Sequence, residues 1–273
     1  MMRKYILMAA CAVACLTHQA VAAPQSDSFL QHAVDAPTRT DKFKARDAAR
    51  HPVQELAFFG VRPRSTVVEI WPGGGYWTQI LAPALYAHGT YYAAFGGPDG
   101  DKDEAHFAMS PAFRQMLDQH PEIYGRVKPT VFGAHHPELA PPGSADFVLT
   151  FRNLHNWMAA GDAPKLLAAI HRALKPGGVL GIEEHRGNTR TPQDPQAESG
   201  YVRQDYATAL IEKAGFKLVG SSEVDANPRD TADWPKGVWT LPPVLAMGQV
   251  DRAKYQAIGE ADNFVLKFRK IGG

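Results

Sequence analysis

The chain has 273 residues, of which 45% are hydrophobic and 21% are charged, and its formal net charge is +1. This composition is that of a globular protein large enough to bury one full hydrophobic core. A charge so close to neutral gives no support for a nucleic-acid partner, and we predict none. Beyond the N-terminus no apolar run is long enough to span a membrane, so we predict no stable membrane insertion.

Residues 1–22 have the pattern of a secretory signal peptide. A basic start is followed by the apolar stretch Tyr5–Leu16 and by Ala20-Val21-Ala22, a small-residue cleavage pattern. We therefore predict an exported, periplasmic protein, with lipoprotein processing at Cys15 as a minor alternative. Both cysteines, Cys11 and Cys15, lie in this segment, so the processed chain is predicted to contain no disulfide.

Residues 23–60 are predicted to form an N-terminal helical segment ahead of one larger domain, residues 61–273. The helix candidates of this segment are Asp27–Val34, Asp41–Arg50 and Pro52–Phe59. In the larger domain, apolar β-branched runs alternate with helical patterns, which predicts an α/β fold with a mostly parallel sheet and helices on both faces. The predicted strands are Thr66–Ile70, Tyr91–Phe95, Lys128–Phe132, Phe147–Phe151, Val179–Glu183, Lys217–Val224 and Phe264–Arg269.

Two long segments interrupt this alternation. Gly97–Gly125 is longer than a simple connection between a strand and a helix, and a helix is predicted over Glu104–Asp118. Asn227–Gln249 is rich in Pro and Trp and lacks periodicity. A long excursion before the final strand favours a hairpin, so Phe264–Arg269 is predicted to run antiparallel to the other strands.

The segment Val67–Thr78 reads V-V-E-I-W-P-G-G-G-Y-W-T, a buried strand that enters a glycine turn and then a helix. Such a turn presents backbone N–H groups to nucleotide-like ligands. A phosphate P-loop is excluded because Gly75 is followed by Tyr76 rather than by Lys. A dinucleotide site is disfavoured because Thr78 replaces the third glycine of G-x-G-x-x-G. The usual pattern of an S-adenosylmethionine site is an acid followed by G-x-G-x-G. Glu69 fits the acid, and two of the three glycine positions match, because they are occupied by Trp71, Gly73 and Gly75.

Further segments, in the expected order, resemble class I S-adenosylmethionine-dependent methyltransferases. They are G-T-Y-Y-A-A-F at 89–95, A-D-F-V-L-T-F-R-N-L-H at 145–155, L-K-P-G-G-V-L at 174–180 and A-G-F at 214–216. L-A-F-F-G, E-I-W-P-G-G-G-Y and F-V-L-K-F-R-K also resemble a group of exported, predicted bacterial methyltransferases. The resemblance covers roughly residues 40–270. It implies a Rossmann-like seven-stranded fold of order 3-2-1-4-5-7-6 with strand seven antiparallel.

The resemblance implies S-adenosylmethionine as the cofactor and places it at the turn after the first strand. Glu69 is expected to face its methionine amine. Gly73 and Gly75 are expected to let the backbone approach it closely, because a Cβ would clash there. Trp71 and Tyr76 offer aromatic faces to its sulfonium cation.

Two positions at other strand ends are also assigned to the cofactor. Phe95 ends the second strand, where the family normally has an acid that binds the ribose, and Arg152 lies in the turn after the fourth strand. The family often has an acid near the adenine after the third strand, and this chain has Ala134 there.

For catalysis, His155 is predicted as the general base for an acceptor that carries a proton, because it follows the fourth strand directly. Asn153 is predicted to hold the cofactor or acceptor by hydrogen bonds at the same turn. Glu184 and Arg186 share one side at the end of the fifth strand and are predicted to bind the substrate, a small molecule. The two long segments are expected to build the rest of the acceptor site.

Two other functions stay open. One is a catalytically inactive methyltransferase-like protein that binds another ligand in the periplasm, since S-adenosylmethionine is made in the cytoplasm. The other, a metal-assisted hydrolase, would need a metal site built from His135, His136, His155 and the acids of the fifth strand. There is no H-E-x-x-H motif and no regular ligand spacing, so no metal is predicted.

Overall fold

The computed structural model of the protein describes residues 26–98 and 102–272. The predicted signal peptide lies outside the described residues. Among the helices that are described, none combines the length and the apolar character needed to cross a membrane.

The molecule is built on one seven-stranded sheet of order β3-β2-β1-β4-β5-β8-β6. Neighbours among β1 to β5 pair in parallel, whereas β8 runs antiparallel to both β5 and β6. This arrangement confirms the predicted fold class, with β8 as the seventh strand of the sheet. The strands are β1 Thr66–Ile70, β2 Thr90–Phe95, β3 Lys128–Val131, β4 Ala145–Phe151, β5 Leu174–His185, β6 Phe216–Ser222, the short β7 Pro235–Val238 and β8 Asn263–Lys270.

Helices fill the connections between the strands. They are α1 Ser26–Val34, α2 Asp41–Lys44, α3 Asp47–Arg50, α4 Pro52–Phe59, α5 Thr78–Leu85, α6 Lys102–His106, α7 Pro111–Gln119, α8 Pro121–Tyr124, α9 Leu154–Ala159, α10 Ala163–Ala173, α11 Gln204–Lys213 and α12 Arg252–Ile258.

The helix predicted over Glu104–Asp118 is wrong as a single element, because it is divided into α6 and α7. Pro111 occupies the first turn of α7, where a missing N–H costs nothing, but it would break a helix running through it. Ser110 caps this new start, its Oγ accepting a hydrogen bond from the Phe113 N–H at 3.1 Å. The helix predicted over Asp41–Arg50 is likewise divided, into α2 and α3.

Apolar side chains of the sheet pack into two large clusters on its opposite faces. Alternation along β1 sends Val67 into one cluster and Val68 into the other. The Val67 cluster also contains Leu56 and Phe59 of α4 and Ile80 of α5. The N-terminal helices therefore share a core with the larger domain.

Candidate active site

A cavity of about 540 Å³ lies at the carboxyl ends of β1, β4 and β5, the edge at which open α/β sheets bind ligands. Its wall combines the glycine turn, the residues after β4, the N-terminal helices, α6 and the tail before β8. The lining residues are Phe43, Arg46, Arg50, Glu69, Trp71, Pro72, Gly73, Gly74, Tyr76, Trp77, His106, Phe107, Phe151, Arg152, Asn153, His155, Asn156, His185, Val238, Trp239, Leu241, Pro242, Pro243, Val244, Glu260 and Ala261.

The two glycines predicted at the cofactor have different surroundings. Gly73 has φ +56°, and a Cβ built on it meets no atom within 4 Å. Gly75 has φ +92°, and its Cβ would lie 3.0 Å from the Phe113 ring and 3.3 Å from Met116. Gly73 therefore leaves open space in the cavity wall, whereas Gly75 is required by backbone conformation and by packing against α7.

Trp71 stands where the methyltransferase pattern has its first glycine, and it adopts φ +48°. Its ring stacks on Phe107 with centroids 4.8 Å apart and meets Trp157 edge-on at 6.1 Å. Its Nε1–H donates to the Phe132 carbonyl oxygen at 2.9 Å. The indole is thus both a core residue and part of the cavity wall, and its contact with a sulfonium cation stays a prediction.

Glu69 is buried at the end of β1, and its Oε2 accepts hydrogen bonds from the Thr78 hydroxyl at 3.0 Å and from the Tyr91 hydroxyl. Burial raises the pKa of Glu69 to about 7, against the opposing effect of these two hydrogen bonds. Thr78, the residue that argued against a dinucleotide site, is therefore a partner of the acid. The predicted contact of Glu69 with an amine is neither confirmed nor contradicted.

Tyr76 and Phe95, both predicted at the cofactor, lie in different places. Tyr76 lines the cavity and donates its hydroxyl to Asp47 Oδ1 at 2.7 Å. Phe95 is buried and packs edge-on against Phe113, with ring centroids 4.9 Å apart. Phe95 does not line the cavity, so its assignment to the cofactor site is corrected: its side chain is turned into the core.

An acid that the sequence reasoning missed lies between the ends of β2 and β3. The carboxylate of Glu104, on α6, accepts hydrogen bonds from the Gly97 N–H at 3.2 Å and from the Ala134 N–H at 2.9 Å. A Cβ at Gly133 would lie 1.8 Å from this carboxylate, and one at Gly96 would lie 1.8 Å from the Glu104 carbonyl oxygen. The two glycines after β2 and β3 therefore make room for Glu104.

His155 is the predicted general base, and the structure places it on the cavity wall with a carboxylate behind it. Its Nδ1 lies 2.9 Å from Glu184 Oε1, and its backbone N–H donates to Glu184 Oε2 at 3.1 Å. Burial raises the pKa of Glu184, but the hydrogen bonds and electrostatic effects of His155 and His185 together outweigh burial, so the pKa lies below its ordinary value. An ionised carboxylate only accepts hydrogen bonds, so Nδ1 of His155 is the donor in this pair.

Glu184 and Arg186 were predicted to bind the acceptor, and neither lines the cavity. Glu184 is fully buried behind His155 and also accepts a hydrogen bond from the His185 N–H at 2.9 Å. It therefore orients two histidines that line the cavity and does not line the cavity itself. Arg186 extends away from the cavity to pair with Glu223 at 2.5 Å and Asp262 at 3.1 Å. Instead, His185, on the other side of β5, reaches the cavity.

His185 donates from Nδ1 to the Asn263 side-chain oxygen at 2.8 Å, and burial lowers its pKa to about 3. One ring nitrogen of each histidine and one oxygen of Glu184 lie within 4.8 Å of one another, close enough to hold a metal ion after small adjustments. The hydrogen bonds to His155 and His185 already satisfy Glu184. His135 and His136 are not among the described residues lining this cavity, so the wider metal cluster does not form.

Asn153 and Arg152 occupy the turn after β4. The Asn153 Nδ2 donates to the Ile70 carbonyl oxygen and to Thr150 Oγ1, each at 3.1 Å, and thereby ties the ends of β1 and β4 together. Arg152 has φ +62° and donates from Nη1 to Glu260 Oε2 at 3.3 Å. Both residues line the cavity, and their contacts with cofactor or acceptor stay predictions.

The sequence reasoning did not assign any N-terminal residue to the site. Arg46 binds Glu260 through two hydrogen bonds of 2.7 Å, and Arg50 lies beside it. Glu260 and Trp239 come from the tail, more than 200 positions from Arg46 in the case of Glu260. No local signal marked these residues, because each is brought to the cavity only by long-range packing.

The sheet order and the site at its carboxyl edge define a class I S-adenosylmethionine-dependent methyltransferase fold. Residues 104–182 match the family model Methyltransf_11, described as a methyltransferase domain. This match begins after the glycine turn. No curated protein sequence matches the chain.

Solved structures with this fold align along most of the chain. A SAM-dependent methyltransferase from Aquifex aeolicus has a TM-score of 0.55 and 16% identity, covering 90% of this chain and 98% of its own. A phosphoethanolamine N-methyltransferase from Haemonchus contortus, in complex with S-adenosylmethionine, has a TM-score of 0.52 and 18% identity. The alignment covers 89% of this chain and 59% of that structure's chain. The [4+2]-cyclase SpnF has a TM-score of 0.55 and 15% identity, and the alignment covers 91% of this chain and 93% of the SpnF chain. These likenesses show the fold of the chain. The match to the methyltransferase family model supports S-adenosylmethionine as the cofactor.

Proposed function

We propose that the protein is a methyltransferase that transfers the methyl group of S-adenosylmethionine to a small molecule. The observation that carries this proposal is the open space in front of Gly73, at the glycine turn that closes the buried strand β1. A site of about 540 Å³ is within the usual size range for a cofactor together with part of a small substrate.

The residues present fit the cofactor at the glycine turn. Gly73 and Gly74 leave the backbone accessible, since a Cβ on Gly74 would meet only Phe43, at 3.5 Å. Tyr76 and Trp71 provide aromatic wall beside them. At the ends of β2 and β3, the carboxylate of Glu104 accepts the Gly97 and Ala134 N–H groups and does not line the cavity.

S-adenosylmethionine supplies, when bound, a methyl group activated by a positively charged sulfur. The chain's own residues then position the acceptor and handle its proton. His155 is oriented by Glu184, and its neutral imidazole would accept the proton of an acceptor hydroxyl or amine at Nε2. Asn153 fixes the turn that carries His155, and Trp239 lies beside the ring with centroids 6.1 Å apart. Positioning supplies most of the acceleration in such transfers.

The test is calorimetric titration of S-adenosylmethionine into the purified protein. We expect binding that is weakened by Gly73→Ala, because the added Cβ enters the open space. Gly143→Ala is the matched control, since Gly143 has a similar φ of +63° and also no atom within 4 Å of its Cβ. A folded protein that takes up no S-adenosylmethionine at millimolar concentration would contradict the enzyme and favour the ligand-binding alternative.

We also propose that the chain is exported through its N-terminal segment and works in the periplasm. The basic, apolar and small-residue regions of residues 1–22 support this. Mass spectrometry of the protein from a periplasmic fraction should find an N-terminus at Ala23. A chain that keeps Met1 and stays in the cytoplasm would contradict export without affecting the enzyme.

A further inference from the structure

Arg50 is a buried arginine on the cavity wall whose guanidinium makes no hydrogen bond within the described part of the chain. The side chain is 2% exposed, and its Nε and Nη2 are closed off from solvent without an acceptor. The nearest carboxylate oxygen, Glu260 Oε2, is 3.9 Å from Nε. Leaving charged donors unsatisfied in the interior is costly, so the position calls for an anionic acceptor.

Glu260 does not satisfy that requirement, because other arginines already use it. Arg46 holds both of its oxygens at 2.7 Å, and Arg152 approaches at 3.3 Å. Three guanidiniums thus surround one carboxylate. Glu183 lies 3.9 Å from Arg152, but burial raises its pKa to about 8, so it adds little negative charge near neutrality. The cluster has an excess of positive charge facing the cavity.

The position of Arg50 indicates where in the cavity the anion would bind. Its guanidinium lies over the Tyr76 ring, 4.4 Å from the centroid, and Tyr76 directly follows the glycine turn. Arg50 is the last residue of α3, and the next residue, His51, is anchored to Asp225 at 2.9 Å. The anion would therefore sit at the glycine-turn end of the cavity, on the side of the N-terminal helices.

We propose that Arg50 binds the carboxylate at the amino-acid end of the ligand. This inference rests on the proposed function, because the α-carboxylate of S-adenosylmethionine is the anionic group that the cavity would have to neutralise. A planar guanidinium suits a carboxylate because it can donate two parallel hydrogen bonds to it. The N-terminal helical segment then completes the cofactor site of the larger domain.

The experiment compares S-adenosylmethionine with its decarboxylated analogue by calorimetry on the full protein. The wild type is expected to bind the carboxylate-bearing ligand on the order of tenfold more tightly or better. In Arg50→Gln the two ligands are expected to bind within about threefold of each other. Arg50→Lys keeps the charge but not the paired donors, so an intermediate ratio is expected.

Arg39→Gln is the matched control. Arg39 is also 2% exposed and lies over the same Tyr76 ring at 5.4 Å, but it is paired with Asp47 and does not line the cavity. It should lose stability and keep the wild-type ratio of affinities. If Arg50→Gln does not fold, the proposal is tested by the ratio of the affinities of Arg50→Lys for S-adenosylmethionine and its decarboxylated analogue.

The outcomes separate the two proposals. A wild type that binds S-adenosylmethionine without preferring it over the analogue, or an Arg50 variant that keeps the full preference, overturns the role of Arg50 alone. A folded wild type that binds neither ligand overturns the proposed function and the inference together. Loss of the preference in the Arg50 variants, with Arg39→Gln unchanged, supports the inference.

Discussion

The carboxylate of Glu69 combines a structural cost with a place at the site. It is buried at the end of β1, where ionisation is disfavoured, and Thr78 and Tyr91 compensate for part of that cost. Natural chains keep such strained charges mainly where function uses them. The stability of the protein should therefore depend on whether the Glu69 carboxyl group is protonated.

Glu69→Gln should change how stability depends on pH. The pKa of Glu69 rises on folding from 4.5 to about 7, so the stability it confers when protonated is complete below 4.5 and lost as pH rises through 7. The wild type should lose about 2–3 kcal/mol relative to Glu69→Gln between roughly pH 5 and pH 8. Urea unfolding of both proteins at the two pH values measures this. If the difference in unfolding free energy between the two proteins is the same at both pH values, burial does not raise the pKa of Glu69.

Glu184→Gln should destabilise the protein by about 1–3 kcal/mol at neutral pH. The carboxylate accepts three hydrogen bonds, two from His155 and one from the His185 backbone. In the glutamine variant the amide NH₂ would face one or more of these N–H donors and could not accept from them. Denaturant unfolding measures the loss. Glu198→Gln, at an exposed acid, is the control and should change stability by less than about 0.5 kcal/mol. Equal effects of the two changes would argue against the His155–Glu184 pair.

At the scale of elements, the Glu104 side chain contributes to holding α6 on the ends of β2 and β3. Glu104 bridges the Gly97 and Ala134 N–H groups, and the absence of side chains at Gly96 and Gly133 gives it room. The last residue of this helix, His106, and the residue after it, Phe107, line the cavity. The position of α6 and one wall of the site therefore depend on each other.

Gly133→Ala should cost about 1–2 kcal/mol in the wild type, because its Cβ would displace the Glu104 carboxylate from its hydrogen bonds. In a Glu104→Ala background the same change should cost little, which gives a coupling of about 1 kcal/mol. Gly96→Ala is the contrast, since it meets the Glu104 backbone and should remain costly in both backgrounds. Unfolding curves of this set measure the coupling. Additive effects would show that Glu104 does not dock α6.

For the whole molecule, the N-terminal helices are part of the core rather than an attachment. Leu30, Leu56 and Phe59 are fully buried in the cluster that contains β1 and α5. Arg46 and Arg50 extend the same segment into the cavity. The predicted boundary between residues 60 and 61 therefore cuts through shared packing.

A chain that starts at residue 61 should fail to fold cooperatively. Removing several buried Leu and Phe side chains costs about 2–5 kcal/mol each, which together exceeds the usual stability of a domain. A chain that starts at residue 26 keeps all described helices and should melt like the full protein. Thermal melts followed by circular dichroism distinguish the two. A cooperative transition in the shorter chain would contradict the shared core.

Local pattern alone predicted the strands of the sheet, but not the division of the helices within residues 41–50 and 104–118. The β-branched run Thr66–Ile70, the glycine turn after it and the alternation Phe264–Arg269 predicted β1, its turn and β8, because strand periodicity and turn chemistry are written in neighbouring residues. The antiparallel direction of β8 also followed, from the long excursion before it. The same patterns placed His155 and Asn153 at the right edge of the sheet.

Only the tertiary structure decided which side chains form the cavity wall. It turned Phe95 into the core, sent Arg186 away from the site and placed Glu184 behind His155. It also brought Arg50 to the cavity and the Glu104 carboxylate to the ends of β2 and β3, and no motif marked either residue. The physical reason is that these positions depend on contacts between segments distant in the chain, and such contacts are set by packing and charge pairing in three dimensions rather than by local sequence.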